Sequence, residues 1–322
     1  MLPTAVLQVP QWQGSSVADA RLLSLGAERL ACLLTAAEPS PEPHTGPPTQ
    51  PPTGPPTAPS PGPPTGPPTA PSPGPSTGPS VRAMRVPVPD TAGAERDGVR
   101  GLDVLTAVAA RTRAALAECG AATVVTVGGD CGVEVEPVSA ALARHGDGLV
   151  VVWFDAHGDL NTPGSSPSHA FHGMVLRTLL GDGHPDLVPP RALRPRQVIL
   201  AGVRALDPAE LAYATDAGLA RRTVPELTAD PGVLVPAVAA AGGTAVYIHI
   251  DLDVLDPEEF GSLSYPEAGG LSVATLRDAV RALTAHFPLA GLGITEYAPR
   301  REEDQAVLAS LVPALLAGAT TG

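Results

Sequence analysis

Residues 149–159, LVVVWFDAHGD, decide the fold, because six apolar residues are followed at once by an acid, a histidine and a second acid. A continuous apolar run of this length is typical of a strand buried on both faces of a parallel sheet. Asp155, His157 and Asp159 follow at a spacing of two, which directs their side chains to one side. Since ligands of parallel sheets bind at the carboxyl ends of strands, this stretch predicts a buried strand that ends in a polar site.

Two other stretches repeat this design. Residues 123–134 read TVVTVGGDCGVE and residues 246–257 read VYIHIDLDVLDP, so that Cys131, Asp251 and Asp253 also follow apolar strands. Buried aspartates in such numbers repel one another unless cations neutralise them. Six ligands suit two divalent ions, which can share one water and lower its pKa toward neutrality. The three strand ends therefore predict a two-metal site.

Strands and helices alternate along the rest of the chain. Strand-like runs occur at residues 2–10, 81–89, 197–203 and 291–295, and helical patterns at residues 18–34 and 102–116. Ser272 is a good N-cap for a further helix. This order predicts an α/β fold with a parallel sheet covered on both faces. The uncharged window 232–250 contains a proline and a glycine pair, and is interpreted as a buried helix, a turn and a core strand rather than a membrane span.

Residues 38–80 differ in composition from everything around them. Two 12-residue units, TGPPTAPSPGPP and TGPPTAPSPGPS, lie within a tract of Pro, Thr, Gly and Ser. Such a tract has little to bury and many prolines without N–H donors, so it is predicted to be a disordered low-complexity insertion. The alternative is a ligand for a proline-binding partner. We therefore expect the insertion to divide one catalytic domain into residues 1–37, its first strand and helix, and residues 81–322, its remainder.

The charge and cysteine content exclude several function classes. The net charge is −13 and all 20 basic residues are arginine, which argues against nucleic acid and anionic membranes as partners. The three cysteines are odd in number and far apart, which argues against a disulfide scaffold. The N-terminus has no pattern typical of a secretory signal, so a cytoplasmic location is expected.

The motifs closely resemble those of the ureohydrolase family, which contains arginase, agmatinase and formiminoglutamase. The resemblance covers the chain apart from the proline-rich tract. It implies a three-layer α/β/α fold with an eight-stranded parallel sheet and two divalent ions, usually Mn²⁺. It also implies a small cationic guanidino substrate, and assembly into homotrimers or homohexamers.

The resemblance implies a role for individual residues. Asp155 and Asp251 match the carboxylates that bridge the two ions. His172, in FHGMVL, matches the family's proton shuttle, and Glu296, in GITEYAP, matches the acid that holds the guanidinium. The implied metal ligands are Cys131, Asp155, His157, Asp159, Asp251 and Asp253, with Asp130 and Asp256 as supporting carboxylates.

Further matches concern the substrate. Arginase-like members use an asparagine and a serine to bind an α-carboxylate, and Asn161 and Ser168 stand at those positions. The segment GVRALDPAE resembles the one that reaches the α-amino group, which indicates Asp207 and Glu210, although a simple helix-opening turn is an equal alternative. His169 and Ala170 depart from the family pattern and leave the shape of the pocket open.

Cys131 is the main departure, since the family has histidine there. A thiolate ligand would soften the site toward Zn²⁺, Fe²⁺ or Co²⁺. The alternatives are an inert residue in a one-metal site and a degenerate, inactive relative. A ligand is favoured because every other ligand position is filled, and because members that hydrolyse N-hydroxy-arginine carry cysteine here. His249 is interpreted as a hydrogen-bonded core residue rather than a seventh ligand.

These features predict a hydrolase of C–N bonds in linear amidines, acting in arginine metabolism. A metal-bridging hydroxide would attack arginine or N-hydroxy-arginine and release urea or hydroxyurea. The alternatives are agmatinase-type or formiminoglutamase-type activity and a metal-binding, non-catalytic homologue. A deacetylase that shares the fold is disfavoured because its typical His-His pair does not occur in the chain.

Overall fold

Eight parallel strands form one sheet in this computed structural model, which describes residues 4–36, 82–120 and 123–317. Their order across the sheet is 2-1-3-8-7-4-5-6. The strands are β1 (Thr4–Val9), β2 (Arg82–Arg85), β3 (Thr123–Gly128), β4 (Leu149–Phe154), β5 (Val198–Ala201), β6 (Ala220–Arg222), β7 (Ala245–Asp251) and β8 (Leu289–Thr295).

Nine α-helices accompany the sheet in these described residues. They are α1 (Arg21–Ala36), α2 (Leu102–Cys119), α3 (Val135–His145), α4 (Val175–Leu179), α5 (Pro208–Asp216), α6 (Val224–Ala229), α7 (Leu234–Ala240), α8 (Val273–His286) and α9 (Glu302–Ala317). Residues 38–80, the predicted insertion, lie outside the described residues, so that prediction stays a prediction.

The strand β4 shows why the fold has three layers. Val150, Val152 and Phe154 belong to one apolar cluster, while Val151 and Trp153 belong to another. Alternate residues of a strand point to opposite faces, so both faces of the sheet are buried. The first cluster includes side chains of α1, α7, α8 and α9, and the second includes side chains of α2, α3, α4 and α5. The predicted three-layer α/β/α fold is confirmed.

The differences from the sequence prediction are small and local. The strand β6 was not predicted, because it has only three residues, two of them arginines, and lies at the edge of the sheet. The uncharged window contains α7, a turn and β7, as predicted. Among the residues described, no helix has the length and apolar character needed to cross a membrane.

The strand order brings the polar strand ends together. The strands β3, β8, β7 and β4 are consecutive neighbours in the middle of the sheet, and all are parallel. Their carboxyl ends therefore meet at one edge, where Cys131, Glu296 and Asp155 follow β3, β8 and β4, and Asp251 is the last residue of β7. This edge carries the candidate site.

Candidate metal centre

A tight turn after β3 places Cys131. A Cβ on Gly129 would lie 1.6 Å from the carbonyl oxygen of Gln11, so only glycine allows the two chain segments to approach this closely. The buried carboxylate of Asp130 accepts hydrogen bonds from Gln11 Nε2 at 2.8 Å, Gly14 N at 2.8 Å and Gly132 N at 2.9 Å. Burial, and then the charge of Glu296, raise the pKa of Asp130 to about 6. Asp130 thus supports the turn, and Cys131 begins a 3-10 helix (Cys131–Glu134).

The end of β4 places a histidine between two carboxylates. His157 Nδ1 lies 2.9 Å from Asp253 Oδ2 and 3.5 Å from Asp155 Oδ1. Asp155 is completely buried and accepts a further hydrogen bond from Trp153 Nε1 at 3.0 Å. Burial alone would raise the pKa of Asp155, but the hydrogen bonds and charge of His157 outweigh it and lower that pKa. Burial would likewise lower the pKa of His157, but the two carboxylates outweigh it and raise that pKa.

The end of β7 adds two more buried carboxylates. Asp251 Oδ1 accepts a hydrogen bond from Asp253 N at 2.8 Å, and Asp253 Oδ1 accepts one from Ala156 N at 3.0 Å. The Cys131 Sγ–H donates to Asp251 Oδ2 at 3.2 Å. Burial, followed by the charges of Asp253 and Asp155, raises the pKa of Asp251 well above its usual value. Burial and the charge of Asp251 do the same to the thiol pKa of Cys131.

Two residues at this edge combine an unusual backbone with an unpaired oxygen. Asp159 has φ +52° and Glu296 has φ +61°, a left-handed region that costs a non-glycine residue about 1–3 kcal/mol. Asp159 Oδ2 and Glu296 Oε2 are buried without a hydrogen-bond partner among the described residues. An unpaired buried carboxylate oxygen is expensive, so both oxygens fit a cation or a cationic ligand at this edge.

All six predicted metal ligands belong to compact donor groups. Within each group, one ligand atom per residue lies within 4.8 Å of every other. The groups, among the described residues, are Cys131 with Asp155, Asp159 and His249; Cys131 with Asp251 and Glu296; and Asp155 with His157 and Asp253. Asp155 is shared by two groups, as expected of a bridging carboxylate, whereas Asp251 joins neither group that contains Asp155. A donor set of carboxylates, imidazole and thiol suits divalent transition metals, which would offset the repulsion that raises the carboxyl pKa values.

The predicted proton shuttle lies beside this cluster. His172 Nδ1 is 3.2 Å from Glu296 Oε1, which also accepts a hydrogen bond from Cys131 N at 3.2 Å. Burial would lower the pKa of His172, but the hydrogen bond and charge of Glu296 outweigh it and raise that pKa. His172 lines a cleft of about 180 Å³ together with the predicted metal ligands Asp159, Asp251 and Asp253.

The residues predicted to select the substrate also line this cleft, but the carboxylate of Glu210 is already occupied by hydrogen bonds within the protein. Asn161, Ser168 and Asp207 line it, and Asn161 Nδ2 donates a hydrogen bond to Asp207 Oδ2 at 2.9 Å. Glu210 lines it too, but both its oxygens accept backbone hydrogen bonds, from Leu160 N at 2.8 Å and from Asp207 N at 2.9 Å. Glu210 therefore caps α5 with Asp207, which is the turn that the sequence offered as the alternative.

Asp256 lies apart from the donor groups. Its carboxylate accepts hydrogen bonds from the backbone N–H groups of Glu258, Gly269 and Gly270 at 2.9, 3.0 and 3.0 Å. Asp256 therefore stabilises the loop that follows Asp253, and its hydrogen bonds do not orient a predicted metal ligand.

Two residues at the site were not predicted from the sequence. The ring of Tyr265 lies 4.9 Å from that of His172, and its hydroxyl forms a 2.6 Å hydrogen bond with Ser16. Tyr265 belongs to the loop after β7 and Ser16 to the loop after β1, and both line the cleft. Neither lies in a motif, so only the packing of the two loops reveals them.

Comparison with known proteins agrees with the fold. The model of the "Arginase family" matches residues 78–318. Arginase from Bacillus subtilis (strain 168) is 36% identical over 158 residues, which is 46% of this chain and 52% of that protein, so the chain spans about half the length of this relative.

Solved structures extend the likeness to the whole fold. Entamoeba histolytica arginase in complex with L-ornithine is similar with a TM-score of 0.77 and 20% identity, and 99% of each chain is covered. Proclavaminate amidino hydrolase from Streptomyces clavuligerus is similar with a TM-score of 0.69 and 19% identity, covering 99% of this chain and 91% of that one. Given the family match over three quarters of the sequence, this chain belongs to the arginase family.

Proposed function

We propose that this protein hydrolyses the C–N bond of a linear amidine, with a cationic guanidino compound as substrate and two divalent cations as cofactor. The observation that carries the proposal is the convergence of four buried aspartates, a histidine and a thiol at one edge of the sheet, beside unpaired oxygens of Asp159 and Glu296. Family membership supports the same reaction class.

The cations would be held by the six strand-end ligands, Cys131, Asp155, His157, Asp159, Asp251 and Asp253. When bound, they would lower the pKa of a shared water and so supply a nucleophile at neutral pH. The carboxylates of Asp155 and Asp253 orient the imidazole of His157, because both lie close to its Nδ1. Mn²⁺ is the proposed native ion by family resemblance, and the thiol of Cys131 shifts the preference toward Zn²⁺, Fe²⁺ or Co²⁺.

Glu296 and His172 would act on the substrate itself. Glu296 Oε2 is buried and unpaired, so it can accept a hydrogen bond from a guanidinium N–H and balance its charge. His172 is held by Glu296 Oε1, and its raised pKa favours the protonated imidazole that a proton donor requires. His172 can therefore deliver a proton to the leaving amine while Glu296 fixes the guanidinium.

The substrate is proposed to be an arginine-type amino acid, either arginine or N-hydroxy-arginine. Asn161 and Ser168 line the cleft, where their amide and hydroxyl can donate hydrogen bonds to an α-carboxylate. Asp207 lines the same cleft and carries the negative charge that an α-amino group would meet. Agmatine has no α-carboxylate and would leave the first two groups without a partner.

The test is product release by the purified full chain, loaded in turn with Mn²⁺, Co²⁺, Zn²⁺ and Fe²⁺. The substrates are arginine, N-hydroxy-arginine, agmatine and formiminoglutamate, and the products measured are urea, hydroxyurea and ammonia. We expect about two bound ions per chain and release of urea from arginine or of hydroxyurea from N-hydroxy-arginine. A chain that binds none of the four ions would overturn the proposed reaction class, and turnover of agmatine alone would overturn the proposed substrate.

A further inference from the structure

His249 occupies a position that no ligand assignment above uses. It lies in β7, two residues before Asp251, and its side chain is completely buried. Its Nε2 is 3.6 Å from Cys131 Sγ, although β8 lies between β3 and β7 in the sheet. The imidazole therefore faces the residue that stands where the family has histidine.

The surroundings of His249 fix the orientation of its ring. Its Nδ1 lies 3.3 Å from Glu134 Oε2, and the indole of Trp153 stacks on it with 3.5 Å between ring centroids and 18° between planes. Glu134 is itself completely buried. An ionised carboxylate only accepts hydrogen bonds, so the contact with Glu134 favours the tautomer with the proton on Nδ1, in which the lone pair of Nε2 is directed toward Cys131.

This arrangement is the one by which proteins prepare a histidine for a metal. A metal-bound imidazole almost always donates its other N–H to a carboxylate, a carbonyl or a water, which fixes its tautomer and increases its basicity. Glu134 can reach His249 because residue 293 is glycine, where a Cβ would lie 2.0 Å from Glu134 Oε2. The chain thus combines a buried acid, the space for it and an imidazole directed at the cluster.

The donor group on that side is compact enough to hold one metal ion. The ligand atoms of Cys131, Asp155, Asp159 and His249 all lie within 4.8 Å of one another, and Asp159 Oδ2 has no hydrogen-bond partner among the described residues. Thiolate, imidazole and carboxylate donors suit Zn²⁺ or Co²⁺, and an ion held by them would still need an open position for the shared water.

We propose that His249 Nε2 ligates the ion held by Cys131, Asp155 and Asp159, and that Glu134 positions this imidazole through Nδ1. The inference rests on the proposed function, because it assumes a metal in this cluster. In this chain a histidine from β7 compensates for the histidine that is absent at position 131. The site is then a mixed thiolate, imidazole and carboxylate site, which binds Co²⁺ and Zn²⁺ more tightly than a site of carboxylates alone would.

The test is titration of the metal-free full chain with Co²⁺, followed by visible absorption and by calorimetry. The variant His249→Asn keeps a side-chain N–H near Glu134 and removes the Nε2 ligand. We expect the affinity of one of the two sites to fall by more than about 100-fold and its Co²⁺ spectrum to change. Zn²⁺ X-ray absorption should lose the scattering of one imidazole per chain. The double variant Cys131→His/His249→Asn should regain both the affinity and the imidazole signal.

A second variant keeps the test decisive if His249→Asn does not fold. Glu134→Gln leaves His249 in place but replaces the charged acceptor of its Nδ1–H by a neutral one, which lowers the basicity of Nε2, so we expect a loss of about 10–100-fold in affinity at the same site together with an altered Co²⁺ spectrum. Two sites of unchanged affinity and spectrum in either folded variant would overturn the inference and leave the proposed function intact. A wild-type chain that binds no Co²⁺ would overturn the proposed function itself.

Discussion

Replacing Asp251 with asparagine should change the stability of the metal-free and metal-loaded protein in opposite directions. Asparagine Oδ1 can still accept the 2.8 Å hydrogen bond from Asp253 N, so the turn after β7 keeps its cap. Burial, and then Asp253 and Asp155, raise the folded-state pKa of Asp251, so its contribution to stability is present at low pH and is lost as pH rises through that pKa. At neutral pH the neutral amide removes this cost, and the metal-free variant should melt at or above the wild-type temperature.

With metal the order reverses, and the size of the effect follows from linkage. An ion at 100 times its Kd stabilises the folded state by about 2.7 kcal/mol. In a domain of this size about 1 kcal/mol corresponds to about 2–4 °C, so the wild type should gain about 5–10 °C. If the loss of Asp251 weakens metal binding by about 100-fold, the same metal concentration stabilises the variant by only about 0.4 kcal/mol. Its melting temperature should then rise by only about 1 °C.

The assay is thermal unfolding of chelator-treated protein with and without Mn²⁺ or Co²⁺. The control is Asp278→Asn, which neutralises a half-buried aspartate that is ion-paired with its neighbour Arg277 on α8, away from the site. This control should keep the full metal-induced shift. An Asp251→Asn protein that gains as many degrees as the wild type would refute the placement of Asp251 among the ligands.

Three further outcomes are expected. Glu296→Gln should raise KM for the guanidino substrate by at least about tenfold, in steady-state kinetics, because the unpaired Oε2 loses its charge; an unchanged KM would contradict this role. Gly129→Ala should fail to fold by circular dichroism because its Cβ would lie 1.6 Å from Gln11 O, while Gly173→Ala, with nothing within 4 Å, should fold. The raised pKa values of Cys131 and Asp251 mean that metal binding should release protons, and that metal affinity should increase as pH rises. Calorimetry in buffers of different ionisation heat measures the number of protons released. Equal binding heats in all buffers would contradict this prediction.

Much of the fold could be predicted because its central strands are apolar throughout. The run of residues 149–154 reads as a doubly buried strand without any tertiary information, and β4 has those bounds. The edge strand β6 could not be predicted, since Ala220–Arg222 has no apolar pattern and, within the described part of the chain, pairs with β5 alone. Its existence depends on a neighbour rather than on its own residues.

The residues of the site also fall into those that the local sequence predicts and those that it does not. Spacing of two after an apolar strand indicated Asp155, His157 and Asp159, because such spacing alone fixes the side on which they project. The contact between His249 and Cys131 could not be predicted, because it depends on the strand order that places β8 between β3 and β7. Tyr265 reaches the cleft through a loop whose path the local sequence does not determine.

The central claim is that paired cations bind where β3, β4 and β7 end. The most direct measurement is an anomalous difference map from a crystal of the full chain grown with Mn²⁺ or Co²⁺. We predict two peaks, enclosed by Cys131, Asp155, His157, Asp159, Asp251 and Asp253. A map with no peak among these side chains, from protein that binds the metal in solution, would contradict the account.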